Sequence, residues 1–255
     1  MTFFFGITGR CYDSKREFPG TGDKSMKTIG LLGGMSWEST LGYYHAINRG
    51  IKNSLGGLHS AKIAMYSVDF EPIEKLQHAG DWKEIAKILS KAAIGIQSAG
   101  ADFLLICTNT MHITVPEIEA AIQIPILHIA DATAEVIVRK DIKSVGLLGT
   151  SFTMEKEFYK GRLIDNYGLQ VMVPNRDDRQ LVHRVIYREL CLGKTGSDSK
   201  AEYLRIIDDL AARGAEAVIL GCTEIGMLVS QSDTNVPLLD TTVIHAEKAV
   251  EYALQ

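Results

Sequence analysis

Two short segments carry side chains able to act as acids, bases or nucleophiles. One is Leu220-Gly221-Cys222-Thr223-Glu224-Ile225; the other is Ile106-Cys107-Thr108-Asn109-Thr110-Met111-His112. Cys222 follows an apolar run of strand type and stands where a helix is expected to start. A helix N-terminus favours thiolate over thiol and lowers a cysteine pKa from about 8.5, turning an inert side chain into a base or nucleophile. The bland reading is a small buried hydrophobe, the commonest fate of a free cysteine. The Thr-Glu that follows favours the chemical reading.

The two segments are counterparts. Ala99-Gly-Ala-Asp-Phe-Leu-Leu-Ile106 aligns with Arg213-Gly-Ala-Glu-Ala-Val-Ile-Leu220, which sets Thr108 opposite Cys222. Lys27-Thr-Ile-Gly-Leu-Leu-Gly33 recurs as Lys143-Ser-Val-Gly-Leu-Leu-Gly149, and Ile124-Pro-Ile-Leu127 as Val236-Pro-Leu-Leu239. Three blocks in the same order and nearly the same register make the chain two copies of one α/β unit. Cys107 is one step out of register with Cys222. On a strand that step turns the side chain to the other face, so Cys107 reads as structural.

The elements that must position these residues are short buried strands alternating with amphipathic helices. Strands are expected at 28–32, 61–68, 103–106, 125–128, 145–148, 218–220 and 238–239. Helices are expected from Ser36 as N-cap, then over 82–99, 154–167, 177–192, 203–213 and 242–254. The pattern predicts two similar doubly wound parallel-sheet domains related by internal pseudo-symmetry. Residues 26–130 plus 242–255 form the first, the last helix packing back on it, and 131–241 the second. In such sheets ligands sit at the carboxyl ends of the strands. The loops at Gly33-Gly34-Met35-Ser36, Thr108-Asn109-Thr110, Gly149-Thr150-Ser151 and Cys222-Thr223-Glu224 therefore meet in a cleft between the domains, which is the expected active site.

Bulk properties narrow the function classes. A chain of 255 residues has room for two small domains, and 46% hydrophobic with 23% charged residues is ordinary for a globular protein. A net charge of −4 supports neither a nucleic-acid nor a membrane-surface role. No apolar run reaches the roughly 18 residues of a membrane span. Cys11, Cys107, Cys191 and Cys222 lie far apart, so metal-ligand spacing is absent and a reducing cytoplasm is the simplest home. Residues 1–25 read as a flexible extension that is a poor signal peptide, with Met26 as the functional start and Cys11 without a role. Cys191 reads as packing, and His112 as either a base or a helix-start residue.

Two nucleotide motifs fail. Gly30-Leu-Leu-Gly33-Gly34 lacks the dinucleotide spacing, and its N–H groups are better suited to a carboxylate. Gly193-Lys194-Thr195 resembles the end of a phosphate loop, but Arg188 stands where its leading glycine belongs and the segment trails a helix.

From Met26 onward the chain resembles the cofactor-independent aspartate/glutamate racemase superfamily. Gly33-Gly34-Met35, Asn109-Thr110-Met111-His112 and Gly221-Cys222-Thr223-Glu224 carry the resemblance, in the family's order. That family places two cysteines on opposite sides of an amino acid's α-carbon; one removes the α-proton and the other returns a proton. Here the first cysteine position is Thr108, whose hydroxyl supplies no thiolate at neutral pH. The resemblance implies lopsided racemisation without pyridoxal phosphate or other cofactor, with Cys222 abstracting the proton from L-aspartate or L-glutamate and Thr108 reprotonating on the other face. It further implies a substrate site of Met35, Asn109, Thr110 and Thr223, with Gln77 or Lys160 for the side-chain carboxylate, and a homodimer. Alternatives are an arylmalonate-type decarboxylase or a diacid isomerase of the same superfamily, or an inert binder of small carboxylates.

Overall fold

The computed structural model describes residues 26–255; the expectations for residues 1–25 and Cys11 lie outside them. Two all-parallel sheets form from the repeated blocks. The first has the order β2(Ile63–Ser67), β1(Ile29–Gly33), β3(Phe103–Ile106), and the second the order β5(Gln170–Met172), β4(Ser144–Gly149), β6(Ala217–Gly221), β7(Leu238–Asp240). β1 and β4 are the first strands of each copy and hold the same place in their sheets. β3 and β6, which lead to Thr108 and Cys222, also correspond. Both are buried along their whole length, as strands covered by helices on both faces must be.

The expected strand at 125–128 shrinks to a single bridge between Leu104 and Ile126. Pro125 has no N–H to extend the ladder upstream. Downstream, His128 caps helix α5(Ile129–Arg139), its side chain accepting from the Ala130 N–H. The repeat therefore survives as 3+1 strands in one copy and four in the other.

The helices follow their capping chemistry. Ser36 is the N-cap of α1(Trp37–Leu55), as expected, and Asp69 and Asp81 cap α2(Phe70–Ala79) and α3(Trp82–Ser98). A short α4(Val115–Ala121) follows the 3₁₀ turn Thr110–Thr114. The helix expected at 154–167 starts earlier, on the Thr150 cap, and splits at extended Lys156 into α6(Ser151–Glu155) and α7(Glu157–Tyr167). α8(Arg176–Arg188) stops before a 3₁₀ turn at Leu190–Leu192, which ends on Gly193 in the left-handed region. α9(Ser197–Ala212) begins six residues before the predicted start, because its first turns are polar and hide the apolar period.

One core fills the second copy, built on β4, β6, α5, α8 and α9. Two smaller cores lie on either side of the first sheet. The last helix, α10(Thr241–Ala253), starts directly from β7 and sets Ala246, Ala249, Val250 and Ala253 against Ile29, Tyr43, Ile47 and Ile51 of the first copy. The Lys27 N–H donates to the Ala253 carbonyl, closing that contact.

Candidate active site at the carboxyl ends of the two sheets

Thr108 and Cys222 line one pocket, together with Met35, Gln77, Thr110 and Glu224. The strands deliver them. β3 ends at Ile106 and β6 at Gly221, so each copy presents its residue just past the carboxyl end of the equivalent strand. Gly221 must lack a side chain, since a Cβ there would sit 2.7 Å from the Leu148 carbonyl of β4. Phe70, Met111, Thr150, Ile186, Tyr187 and Cys191 complete the walls. The cavity is about 20 Å³, room for one water and far short of an amino acid. The two copies are closed on each other.

Four polar links hold that closure. The Ser36 hydroxyl donates to Glu224 Oε1 at 2.8 Å. The Asn109 amide donates to Thr241 Oγ1 at 3.0 Å, and that hydroxyl in turn donates to the Leu220 carbonyl at 2.8 Å. Thr110 Oγ1 lies 3.1 Å from Thr150 Oγ1 and 3.4 Å from Thr153 Oγ1. The Gln77 amide donates to the Tyr187 hydroxyl at 2.7 Å, on the pocket wall.

Glu224 is the electrostatic centre of the site. It is buried, and its Oε2 accepts from Cys222 Sγ at 2.9 Å and from Thr223 Oγ1 at 2.8 Å. The thiol does not find the helix N-terminus that would favour thiolate. Only a 3₁₀ turn, Ile225–Met227, follows it. Burial and the neighbouring Glu224 charge push the Cys222 thiol well above its ordinary range. The low thiol pKa expected from a helix dipole is thus replaced by a thiol hydrogen-bonded to a carboxylate. Among the described residues, no lysine, arginine or histidine lines the pocket to offset that charge.

Behind Thr108 stands His112, wholly buried. Its Nδ1 is 2.8 Å from the Thr108 carbonyl, and its Nε2 accepts from the Ile129 N–H at 3.3 Å. A carbonyl can only accept, so Nδ1 carries the proton and the ring is neutral. Burial and the nearby His128 hold its pKa well below the usual histidine value. His112 therefore fixes the Thr108 backbone and is no base for the pocket.

The Asp/Glu/Hydantoin racemase family model matches residues 32–249, spanning both sheets and both pocket segments. The chain belongs to that family. A candidate Asp/Glu racemase from Yersinia pestis is 54% identical, covering 90% of this chain and 100% of that one, with a TM-score of 0.84. An aspartate racemase homologue from Pyrococcus horikoshii OT3 is 34% identical over 90% of this chain and 100% of that one, with a TM-score of 0.76. The broad specificity amino-acid racemase RacX of Bacillus subtilis is 23% identical over 67% of this chain and 73% of its own.

Of the residues singled out in the sequence, this member of the racemase family brings Cys222, Thr108, Met35, Gln77 and Thr110 to the pocket wall. Asn109 and Thr223 stand behind it, bonded to Thr241 and Glu224. Lys160 is elsewhere: it lies on α7 and pairs with Glu157 at 2.9 Å, so it brings no charge to the pocket. The glycine loop does not present its amides as expected either, since the Gly34 N–H donates to Thr40 Oγ1 at 2.8 Å. Cys107 is buried in the core behind β3, as its register requires. Cys191 was read as packing but lines the pocket, because α8 ends one turn early and the 3₁₀ turn swings it inward. Sequence reasoning placed Ser36 in a loop of the cleft without giving it a role, and missed Tyr187 and the central place of Glu224. The Cys-Thr-Glu spacing was visible for Glu224; nothing local marked Tyr187.

Proposed function

We propose that this protein racemises an amino acid by direct transfer of its α-proton, with Cys222 as the base and Thr108 reprotonating on the other face. The observation that carries the reading is that equivalent strands of two pseudo-symmetric sheets bring one thiol and one hydroxyl to a single pocket. Two-base chemistry needs a group at each face of one carbon, and pseudo-symmetry supplies two such groups from one folding unit. Family membership supports the same reaction class. The groups are unequal. A thiol is far more acidic than an alcohol, so abstraction from the enantiomer facing Cys222 is the faster half-reaction. L-aspartate and L-glutamate are the substrates proposed, with weaker action on the D-forms, no added cofactor, and a homodimer as the working assembly.

A second reading of specificity is favoured by the lining itself. With Lys160 paired on α7 and the neutral Gln77 and Tyr187 on the pocket wall, a side-chain amide is as well received as a carboxylate. A broad substrate range follows from that reading.

Proton NMR in D₂O separates these possibilities. Wash-out of the α-proton from L-aspartate or L-glutamate, falling by about 10² to 10⁴-fold in Cys222→Ser, is the expected result. Comparable kcat/KM for L-asparagine and L-glutamine would favour the broad reading. Equal rates for D- and L-forms, both lost equally in Cys222→Ala, would contradict unequal bases. Exchange with no amino acid, alongside CO₂ release from a disubstituted malonate, would point to the decarboxylase alternative.

A further inference from the structure

A surface groove behind the catalytic loop takes no part in the reaction proposed above. It has two lobes, of about 450 and 480 Å³, joined through shared walls at Gly42, His45, Thr223, Met227 and Thr242. Volumes of this order suit a small-molecule ligand. One bank is α1 of the first copy, the other is α10, and the segment after Cys222 supplies the third wall.

The larger lobe is bipolar. His45, Arg49 and Asn53 follow one another a turn apart on the α1 bank, and Asp240 and Glu247 stand on the α10 bank. Arg49 and Glu247 line one cavity, yet neither enters an ion pair or hydrogen bond among the described residues. Opposite charges that share a groove without meeting leave a gap for a molecule that carries both signs. Asp240 is held more firmly. Its Oδ1 accepts from the Thr242 and Val243 N–H groups at 2.9 and 3.2 Å. Its Oδ2 lies where a Cβ on residue 226 would come within 2.5 Å, so the wall there must be glycine. Thr242 is buried on the wall of both lobes, and its Oγ1 has no hydrogen-bond partner among the described residues. A buried hydroxyl left over by the fold is a polar group awaiting a partner. The smaller lobe differs in character. Leu41 and Met227, both exposed, give it large apolar walls from the first and second copies.

We propose that this groove binds a free amino acid with an apolar side chain, as a regulator distinct from the substrate. The carboxylate meets Arg49, and the ammonium meets Asp240 and Glu247. The Thr242 hydroxyl serves the polar end, and the side chain lies over Leu41 and Met227. Coupling to the active site follows from the walls. Thr223 lines the groove and donates to Glu224 in the pocket. A ligand touching both α1 and Met227 ties the two copies together in their closed relation. A ligand that binds the closed form better shifts the population toward it, so occupancy shields Cys222.

Isothermal titration calorimetry of the full chain with L-leucine and L-phenylalanine tests the site. Saturable binding of at least one, at one site per chain, is expected. Arg49→Ala and Glu247→Ala, both at exposed positions, are each expected to weaken it about tenfold, the scale of one charged hydrogen bond. L-leucinamide, which lacks the carboxylate, and N-acetyl-L-leucine, which lacks the ammonium, are expected to bind wild type more weakly by a similar factor. Excess L-aspartate or L-glutamate is expected to leave the affinity unchanged. At saturating L-leucine or L-phenylalanine, whichever binds, alkylation of Cys222 by iodoacetamide is expected to slow several-fold in wild type and not in Arg49→Ala.

No saturable binding of either amino acid would overturn the proposal. So would binding that both substitutions leave intact, or binding that L-aspartate displaces, since either would put the ligand outside the groove. Binding that leaves the alkylation rate of Cys222 unchanged would overturn the regulatory role. The site does not depend on the racemase reading: failure of every amino acid in the NMR assay, with binding in the groove intact, would sink that reading alone.

Discussion

Thr108 and Cys222 occupy equivalent places in the repeat yet differ by about half the scale of aqueous acidity, and that difference predicts a separable reaction. Thr108→Val keeps the branched shape and removes only the hydroxyl. Its expected phenotype is continued wash-out of the α-proton from the L-substrate in D₂O, with optical rotation of that substrate decaying about 10²-fold more slowly than in wild type. Loss of wash-out and of racemisation in equal measure would mean that Thr108 serves the Cys222 face too. At this scale the sequence was readable where the repeat imposed a register. Thr108, Cys222 and Cys107 all landed where the alignment of two copies put them. The acidity of Cys222 was not readable, because it turns on a 3₁₀ turn replacing a helix and on a carboxylate whose direction no spacing rule reveals. Lys160 went astray for a related reason. Its place in the chain was near the second sheet's first loop, but the break at Lys156 turned α7 so that its ammonium meets Glu157.

The elements around the site are pinned by buried histidines kept neutral. His128 caps α5, His245 lies in α10, and His112 opens the segment after Thr108; the ring centroids of His112 and His128 are 4.5 Å apart. His245 Nε2 donates to the Leu127 carbonyl at 2.7 Å, while its Nδ1 accepts from the Tyr43 hydroxyl at 2.8 Å. Burial lowers His128 and His245 from 6.5 to about 3, and His112 also falls. In the unfolded chain these rings gain protons below about pH 6.5, whereas in the fold His128 and His245 refuse them until about pH 3 and His112 is likewise held neutral. The unfolded state thus binds more protons throughout that window, and stability falls as pH falls, by about 1.4 kcal/mol per pH unit for each histidine. Melting temperature measured stepwise from pH 7 to pH 4 is expected to decline steadily. A flat profile over that range would mean that all three rings take up protons in the fold as readily as in the unfolded chain. The elements themselves were legible wherever apolar period or a capping residue marked them, as at Ser36. They were misjudged where polar first turns or one proline obscured the period, as at α9 and the strand bridge at Ile126.

For the molecule as a whole, the closed cleft is the property that governs turnover. A cavity of about 20 Å³ admits no amino acid, so the two copies must part for substrate to enter. Tyr187 and Gln77 form one of the four links, backed by the rings of His78 and His183 at 5.4 and 4.9 Å from Tyr187. Gln77 Oε1 has no partner among the described residues even when closed. Tyr187→Phe would leave the buried amide without its acceptor as well, at a cost to the closed form of about 1–3 kcal/mol. Cys222 is then expected to be alkylated several-fold faster at fixed pH, and KM for the substrate to rise about tenfold. An unchanged alkylation rate would show that the other three links suffice to keep the cleft shut. The two-sheet architecture was the most legible level of all, since repeated blocks report on topology directly. Closure was invisible at that level, because it depends on pairs such as Gln77 and Tyr187 that are remote in sequence.

The packing of α10 on the first copy bears on how the chain is made. Tyr43, Ile47 and Ile51 of α1 are covered by side chains from residues 246–253, which leave the ribosome after everything else described here. The second copy's residues are translated between the two parts of that core. The first sheet therefore waits with an open apolar flank while its twin is synthesised beside it, and two similar sheets are on offer for each other's edges during that interval. The final helix then completes both halves at once, its Ile244 entering the second copy's core and its Ala246, Ala249, Val250 and Ala253 closing the first.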